Sequence, residues 1–180
     1  MRKRALFVGR FQPFHYGHLH AIKTILQEVD EIIIVLGSAQ MSHELDNPFT
    51  AGERIEMIKD ALDEASVDKD RYMLIPIPDA PAHRVWVSQV ESQTPKFDLV
   101  YSNQSLTRRL LIEAGYEGHG IKLHERKRYE ATEIRHRILT GEDWRDLVPK
   151  GVYEYIKSID GEGRIRDLAQ SDTVNVHDQD

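Results

Sequence analysis

The chain has 180 residues, which is the length of one ordinary domain and enough to bury a hydrophobic core without disulfide or metal support. Acidic residues outnumber basic ones by 30 to 24, and the resulting net charge of −6 argues against a broad surface for nucleic acid or anionic membranes. The absence of cysteine excludes thiol nucleophiles, disulfides and Cys-based zinc sites. The apolar runs are too short to cross a bilayer or to form a signal peptide, so we expect no membrane contact and a cytoplasmic location.

Short apolar runs alternate with amphipathic segments along the first part of the chain. RALFVG and EIIIVLG are typical of strands that are buried on both faces of a parallel sheet. Between them, a helix is predicted to begin near Gly17, because apolar residues recur at helical spacing from Leu19 to Val29. TAGE begins a second helix, with Thr50 as its N-cap and Glu53 as the capping partner. YMLIPIPD and FDLVYSN are predicted to be further strands.

This alternation predicts an α/β fold, namely a Rossmann-like parallel sheet with helices on both faces. We expect a single domain over residues 1–168 and a disordered segment over 169–180, where large apolar residues are few. Ligands of such sheets bind beyond the carboxyl ends of the strands. The residues that follow the predicted strands, and therefore lie at that edge, are Gly9, Ser38, Asp79 and Ser102.

Two histidines follow the first predicted strand, in the segment VGRFQPFHYGHLHAI. A helix that begins near Gly17 directs its unpaired amides towards the carboxyl end of the sheet, which favours an anion there. Gly9 and Gly17 allow the backbone to approach a ligand closely, and His15 and His18 supply imidazole donors at the same place. A packing or surface role is the alternative for each histidine, and their protonation is left open by the sequence.

A zinc site is another use that histidines in this region could have. It would require further ligands, for which His20 and His43 are the candidates. Because His20 is two residues after His18, it faces a different direction on a helix. Phosphate is therefore the favoured ligand, and we assign no metal site to the side chains.

A cluster of cations lies late in the chain, in the segment ERKRYEATEIRHRIL. A solvated basic surface is the ordinary interpretation of such a run. Thr132 is predicted to be a helix N-cap, which places Arg135 in the first turn, where the helix dipole disfavours a cation unless an anion is bound. Arg135 is therefore expected to face a phosphate. The cluster consists of Arg126, Lys127, Arg128, Arg135 and Arg137.

The order of these motifs resembles that of a known enzyme family. GRFQPFHYGH carries the His-x-Gly-His signature of the nucleotidylyltransferase superfamily, and ATEIRHR is similar to its later Ser/Thr-x-x-Arg phosphate motif. Three more segments take part: GSAQMSHELDNPFTAGERIEMI, the pair Val85 and Trp86, and VYSNQSLTRRL. From about Arg4 to Leu168, the chain resembles the archaeal-type nicotinamide-nucleotide adenylyltransferases.

The resemblance implies transfer of the adenylyl group of ATP to nicotinamide mononucleotide, giving NAD and pyrophosphate, with Mg²⁺ or another divalent cation accompanying ATP. It implies a homo-oligomer, such as a hexamer. The residues that it implies to be catalytic, and to bind the phosphates of ATP, are Arg10, His15, His18 and Arg135. The further residues that it implies at the ATP site are Gly9, Phe11, Ser102, Asn103 and Thr132.

For the mononucleotide, the resemblance implies a site formed by Ser38, Asp79, His83 and Trp86. His83 departs from the family pattern, which places an amide-bearing residue shortly before the tryptophan, so the choice between amide and acid forms of the pyridine stays open. Burial in the core is the alternative for Trp86. Two other functions also stay open: a superfamily member with a different acceptor, such as a phosphopantetheine adenylyltransferase or a cytidylyltransferase, and a nucleotide-binding regulator without turnover.

Overall fold

The computed structural model describes residues 2–121 and 129–177, with side chains as far as residue 170. The strands of the described part are β1 (Arg4–Gly9), β2 (Glu31–Leu36), β3 (Tyr72–Pro76), β4 (Leu99–Tyr101) and β5 (Glu117–His119). They form a five-stranded sheet in the order β3-β2-β1-β4-β5, in which each neighbouring pair is parallel. The predicted α/β fold with a parallel sheet is confirmed.

Helices cover both faces of this sheet, as the sequence predicts. The helices of the described part are α1 (Tyr16–Ile25), α2 (Ala51–Glu64), α3 (His83–Gln93), α4 (Ser105–Glu113), α5 (Ala131–Thr140), α6 (Lys150–Ser158) and α7 (Gly161–His177). Phe7 of β1 points into a core that it shares with α1, α2, α5, α6 and α7. Leu6 and Val8, its neighbours along the strand, point into the opposite core with α3 and α4. No described helix is long and apolar enough to span a membrane.

The predicted elements and the observed ones differ at two places. The sequence does not predict β5, because its three residues are polar or small and form only an edge strand. Residues 169–177, for which composition predicts disorder, continue helix α7. That helix is held near its start by the buried side chain of Ile165, and a helix propagates more easily than it begins. Residues 178–180 lie outside the described residues.

A buried arginine holds together the carboxyl end of the sheet. Arg54 on α2 is 0 % exposed. Its guanidinium donates hydrogen bonds to the carbonyl oxygens of Arg10 at 2.8 Å, Gly37 at 2.9 Å and Ser38 at 3.1 Å. Burial lowers the pKa of Arg54 to about 10, which leaves the group charged at neutral pH. The side chain therefore ties the segments that follow β1 and β2 to the first turn of α2.

Replacing Arg54 with leucine should destabilise the fold strongly, because buried carbonyl oxygens would lose their donors. We expect the free energy of unfolding, measured by urea denaturation, to fall by about 3 kcal/mol or more. Arg71→Leu is the matched control. Arg71 also donates to carbonyl oxygens, those of Leu26, Val29 and Asp30, but it is only partly buried at the amino end of the sheet. A similar loss in both variants would contradict the role assigned to Arg54.

Candidate active site

Two cavities adjoin at the carboxyl end of β1. The first has a volume of about 210 Å³, and its lining includes Ser38, Asp79, His83 and Trp86. The second has a volume of about 240 Å³, and its lining includes Phe11, His15, His18, Asn103, Thr132 and Arg135. The residues that line both cavities are Val8, Gly9, Arg10 and Gln104. The structure thus separates the predicted mononucleotide residues from most of the predicted ATP residues, and it joins the two groups at Gly9 and Arg10.

His15 and His18 lie together at the start of α1. Their rings are stacked, with centroids 3.6 Å apart and an angle of 24° between the planes. Nδ1 of His18 accepts a hydrogen bond from the backbone N–H of His15 at 3.2 Å. When the His18 ring is neutral, its proton is therefore on Nε2, which can donate to a ligand. Nδ1 of His15 is buried, and no described residue hydrogen-bonds it.

Burial keeps both imidazoles neutral in the absence of a ligand. It lowers the pKa of His15 to about 3. It also lowers the pKa of His18 well below its usual value, and the neighbouring His15 contributes to this shift. The sequence leaves the protonation of His15 and His18 open. In the ligand-free protein, both side chains are neutral hydrogen-bonding groups and not cations.

Glycine is required at two positions around the histidines. A Cβ on Gly9 would lie 2.8 Å from the ring of Phe11, and a Cβ on Gly17 would lie 2.9 Å from the ring of His15. The Phe11 ring in turn meets the edge of His18, with centroids 4.8 Å apart. The glycines therefore allow the aromatic and imidazole rings to pack directly against the backbone, which fixes the position of both histidines.

The structure corrects the expected start of helix α5. Thr132 is not the N-cap, because the first helical hydrogen bond joins the N–H of Ile134 to the carbonyl oxygen of Glu130, and the helix begins at Ala131. Arg135 is consequently in the second turn, so the dipole argument does not apply to it. Thr132 nevertheless lines the second cavity, and its backbone belongs to the first turn of α5.

Arg135 lines the second cavity, and two hydrogen bonds hold its guanidinium in place. Its side chain is 8 % exposed. It donates a hydrogen bond to the carbonyl oxygen of Gln12 at 2.8 Å and another to the carboxylate of Asp46 at 3.1 Å. Gln12 is itself buried, and its amide exchanges two hydrogen bonds with the backbone of Phe49. Sequence reasoning missed Gln12, because its partner Phe49 is distant in the sequence and the local pattern does not reveal the contact.

The remaining cations of the basic segment lie elsewhere. Arg137 is paired with Glu133 at 2.8 Å and donates to the carbonyl oxygen of Asp143, so it belongs to a solvated surface, which was the alternative interpretation. Residues 126–128 lie outside the described residues.

Ser102 is not among the residues that line the cavities. It is 0 % exposed, its hydroxyl accepts a hydrogen bond from the N–H of Gln104, and its carbonyl oxygen accepts one from Arg108. It shapes the turn that leads into α4, and Asn103 and Gln104 line the second cavity in its place. Ser102 was predicted from its position after a strand and from the family resemblance, neither of which reveals the direction of the side chain.

Asp79 in the first cavity is held by two donors. The hydroxyl of Ser38 donates to one carboxylate oxygen at 3.0 Å, and the amide of Gln40 donates to the other at 2.9 Å. The side-chain oxygen of Gln40 also accepts the backbone N–H of Asp79. Ser38 and Gln40 therefore fix the orientation of the Asp79 carboxylate. Sequence reasoning missed Gln40.

The two tryptophans have different surroundings. Trp86 is partly buried: it packs against the core on the α3 and α4 face and also lines the first cavity. Both interpretations of Trp86, core residue and ligand platform, are therefore compatible with its position. Trp144 is 2 % exposed, and its ring nitrogen donates to Glu162 at 2.8 Å. His83 is exposed at the start of α3, on the same cavity as Trp86.

The described residues contain no group of three or more His, Cys, Asp or Glu side chains that could hold a metal ion. His20 is exposed on α1, and His43 contacts Ser42 on an exposed loop. The donors around the second cavity are imidazoles, guanidinium groups and backbone amides, which suit an anion.

Comparison with known proteins gives a consistent result. Residues 6–137 match the model of the cytidylyltransferase-like family. The chain is 54 % identical over 169 residues to the nicotinamide-nucleotide adenylyltransferase of Methanococcus aeolicus, covering 94 % of this chain and 96 % of that protein. It is 52 % identical over 168 residues to the enzyme of that name from Pyrococcus furiosus, covering 93 % of this chain and 89 % of the other.

A solved structure has the same fold. It is the bifunctional NMN adenylyltransferase/ADP ribose pyrophosphatase from Francisella tularensis, in complex with AMP and a Mn ion. It is 25 % identical, with a TM-score of 0.82, and the match covers 98 % of this chain and 54 % of that one. The present chain therefore spans about half the length of that protein.

The depressed pKa of His15 predicts how stability depends on pH. Below pH 6.5, the unfolded chain binds a proton that folded His15 does not bind until the pH falls to about 3. The free energy of unfolding should therefore decrease as the pH falls through this window, by about 1.4 kcal/mol per pH unit from this group. Urea denaturation between pH 4.5 and 6.5 should show a shallower slope for His15→Gln. A His15→Gln variant with the same slope as the wild type would contradict this prediction.

Proposed function

The chain belongs to the cytidylyltransferase-like family, in the group of the nicotinamide-nucleotide adenylyltransferases, and we propose that it transfers the adenylyl group of ATP to nicotinamide mononucleotide. The products are NAD and pyrophosphate. One observation carries the proposal: two cavities of different chemistry meet at Gly9 and Arg10. Two phosphorylated substrates that occupy them would bring their phosphates together at this junction.

The triphosphate of ATP fits the second cavity. Arg10 and Arg135 supply the positive charge, and His15 and His18 supply neutral hydrogen-bond donors beside them. Burial lowers the pKa of Arg135, Asp46 opposes this shift and Arg10 adds to it, so a bound polyanion would favour the charged guanidinium. The adenosine would lie against the remaining predicted ATP residues of this cavity, which are Gly9, Phe11, Asn103 and Thr132.

The reaction requires no nucleophile from the protein. A phosphate oxygen of the mononucleotide attacks the α-phosphorus of ATP, the bond from that phosphorus to the bridging oxygen breaks, and pyrophosphate leaves with the electron pair. Charge develops on the transferring group and on the leaving group, so catalysis consists of positioning and electrostatic stabilisation. Fixed N–H groups such as Nε2–H of His18 would stabilise the charge on the transferring phosphate.

The mononucleotide fits the first cavity. The carboxylate of Asp79 accepts hydrogen bonds and is already held in place by Ser38 and Gln40, so it would orient hydroxyl or amide donors of the ligand. Trp86 offers an aromatic surface for the pyridine ring, and His83 offers a hydrogen bond to the substituent of that ring.

A divalent cation, Mg²⁺ in our proposal, would accompany ATP. The described side chains do not form a cation site of their own, so phosphate oxygens and water would hold the ion, which is the usual way in which Mg²⁺ is bound with nucleotides. When bound, it would neutralise charge on the leaving pyrophosphate.

The proposal also covers the oligomeric state, the location and the partners of the protein. We propose a homo-oligomer, such as a hexamer, located in the cytoplasm, with ATP and nicotinamide mononucleotide as its partners and neither nucleic acid nor membrane among them. The net charge of −6 supports the exclusion of nucleic acid and membrane, the absence of cysteine is consistent with the cytoplasm, and the oligomer follows from the family resemblance alone. Light scattering of the purified protein would give the number of subunits.

The direct test is incubation of the purified protein with ATP, Mg²⁺ and nicotinamide mononucleotide, followed by measurement of NAD with a dehydrogenase. Panels in which CTP replaces ATP, or phosphopantetheine replaces the mononucleotide, separate this function from that of another superfamily member. ATP binding without release of pyrophosphate for any acceptor would instead favour a regulator.

His15→Ala and His18→Ala should each lower kcat by about 100-fold or more, with a smaller effect on KM. The reason is that a donor aimed at developing charge acts more strongly in the transition state than in the ground state. His20→Ala removes an exposed imidazole from the same helix and should retain wild-type kcat. Wild-type turnover in the His15, His18 double variant would contradict the role of the pair.

Trp86→Ala should weaken binding of the mononucleotide by about 5- to 150-fold, the effect of losing one stacked base, and should leave the affinity for ATP unchanged. Val85→Ala is the control, because Val85 is 52 % exposed and does not line the cavity. In a Trp144→Phe background, Trp86 is the sole tryptophan, and the mononucleotide should quench its fluorescence. Unchanged fluorescence in an active, saturated enzyme would make Trp86 a core residue.

A further inference from the structure

A tight turn of the chain lies beside the cations of the second cavity. It is formed by Glu44 to Asn47, whose end residues exchange two backbone hydrogen bonds, of 3.3 Å and 3.0 Å. Asp46 is at the tip of this turn, and its carboxylate contacts the guanidinium of Arg135 at 3.1 Å. The next residue, Asn47, accepts a contact of 3.5 Å from the guanidinium of Arg10. One turn thus reaches both arginines that are proposed to bind the triphosphate.

The two partners of the Asp46–Arg135 contact differ greatly in exposure. The side chain of Arg135 is 8 % exposed, whereas that of Asp46 is 78 % exposed. The arginine is held in place by its second hydrogen bond, to the backbone of Gln12. The aspartate has mostly water around it and can move away at little cost. An arriving phosphate oxygen would therefore find Arg135 already positioned, with an exchangeable carboxylate on one of its nitrogens.

We propose that Asp46 occupies Arg135 in the ligand-free protein in place of a phosphate, and that it competes with the triphosphate for this arginine. The carboxylate provides the counter-charge that a nearly buried guanidinium requires when no nucleotide is bound. On binding, the triphosphate displaces it and takes over the contact. The proposal rests on the proposed function only in naming ATP as the source of the triphosphate.

The competition has a consequence for affinity. Part of the interaction energy between Arg135 and the triphosphate is used to break the contact with Asp46. Removing the carboxylate should therefore tighten binding, which is opposite to the effect of removing a residue that contacts the ligand directly. Because one partner is exposed, the effect should be modest and should decrease as salt screens the pair.

The test is calorimetric titration of ATP with Mg²⁺, and separately of inorganic tripolyphosphate, into the wild-type protein and Asp46→Asn. We expect the Kd for both ligands to decrease about two- to five-fold at low salt, corresponding to the usual strength of an exposed ion pair. The gain should become smaller when the salt concentration is raised from about 50 mM to about 500 mM. Binding is measured without mononucleotide, so the result does not depend on turnover and fails independently of the proposed function.

Two further variants serve as controls. Glu44→Gln removes one negative charge from the same turn, where the Glu44 carboxylate contacts Asn47 at 3.5 Å, and it should leave both Kd values unchanged. Asp46→Glu retains a carboxylate and should bind close to wild type. An unchanged Kd in Asp46→Asn would overturn the competition. A weaker Kd would also overturn it, and would instead show that Asp46 supports the bound nucleotide or its cation.

Discussion

The carboxyl end of the sheet depends on the guanidinium of Arg54. A buried cation needs hydrogen-bond acceptors on all sides, and here carbonyl oxygens, not a carboxylate, supply them. The carbonyl oxygens of Arg10, Gly37 and Ser38 point towards the guanidinium of Arg54. The backbone of Ser38 has a φ of +46° at this place. With its carbonyl oxygens so fixed, the chain presents Arg10 and Ser38 to the cavities. A single buried side chain thereby sets the relative position of the two cavities.

Burial also decides which groups of the site are charged. The same desolvation that makes His15 and His18 neutral leaves Arg135 charged, because the pKa of a guanidinium starts far above neutrality. The second cavity consequently combines permanent cations with neutral donors, within a chain whose net charge is negative. Such a site attracts a polyphosphate by local charge alone. Asp46 limits this attraction while no ligand is present.

The sequence predicts those features that depend on local pattern. The buried strands β1 and β2, the Thr50–Glu53 capping box of α2 and the family resemblance are all confirmed. Features that depend on distant partners are not predictable in this way. In the sequence, Arg54 is one charged residue of a helix. Its role depends on the carbonyl oxygens of three residues that lie elsewhere in the chain. Thr132 is a good N-cap by type, but the preceding backbone already supplies the first helical hydrogen bond at Glu130.

The stacked pair His15 and His18 links the sequence motif GRFQPFHYGH to the proposed reaction. Two imidazoles with centroids 3.6 Å apart would repel each other if both were protonated, so their packing disfavours the doubly protonated pair. Gly9 and Gly17 allow that packing, since a side chain at either position would collide with a ring that supports or belongs to the pair. Donors that are held in a fixed position can stabilise the charge that develops when two phosphate groups react. In the proposed reaction, the spacing of glycine and histidine in GRFQPFHYGH would serve to hold such donors in a fixed position.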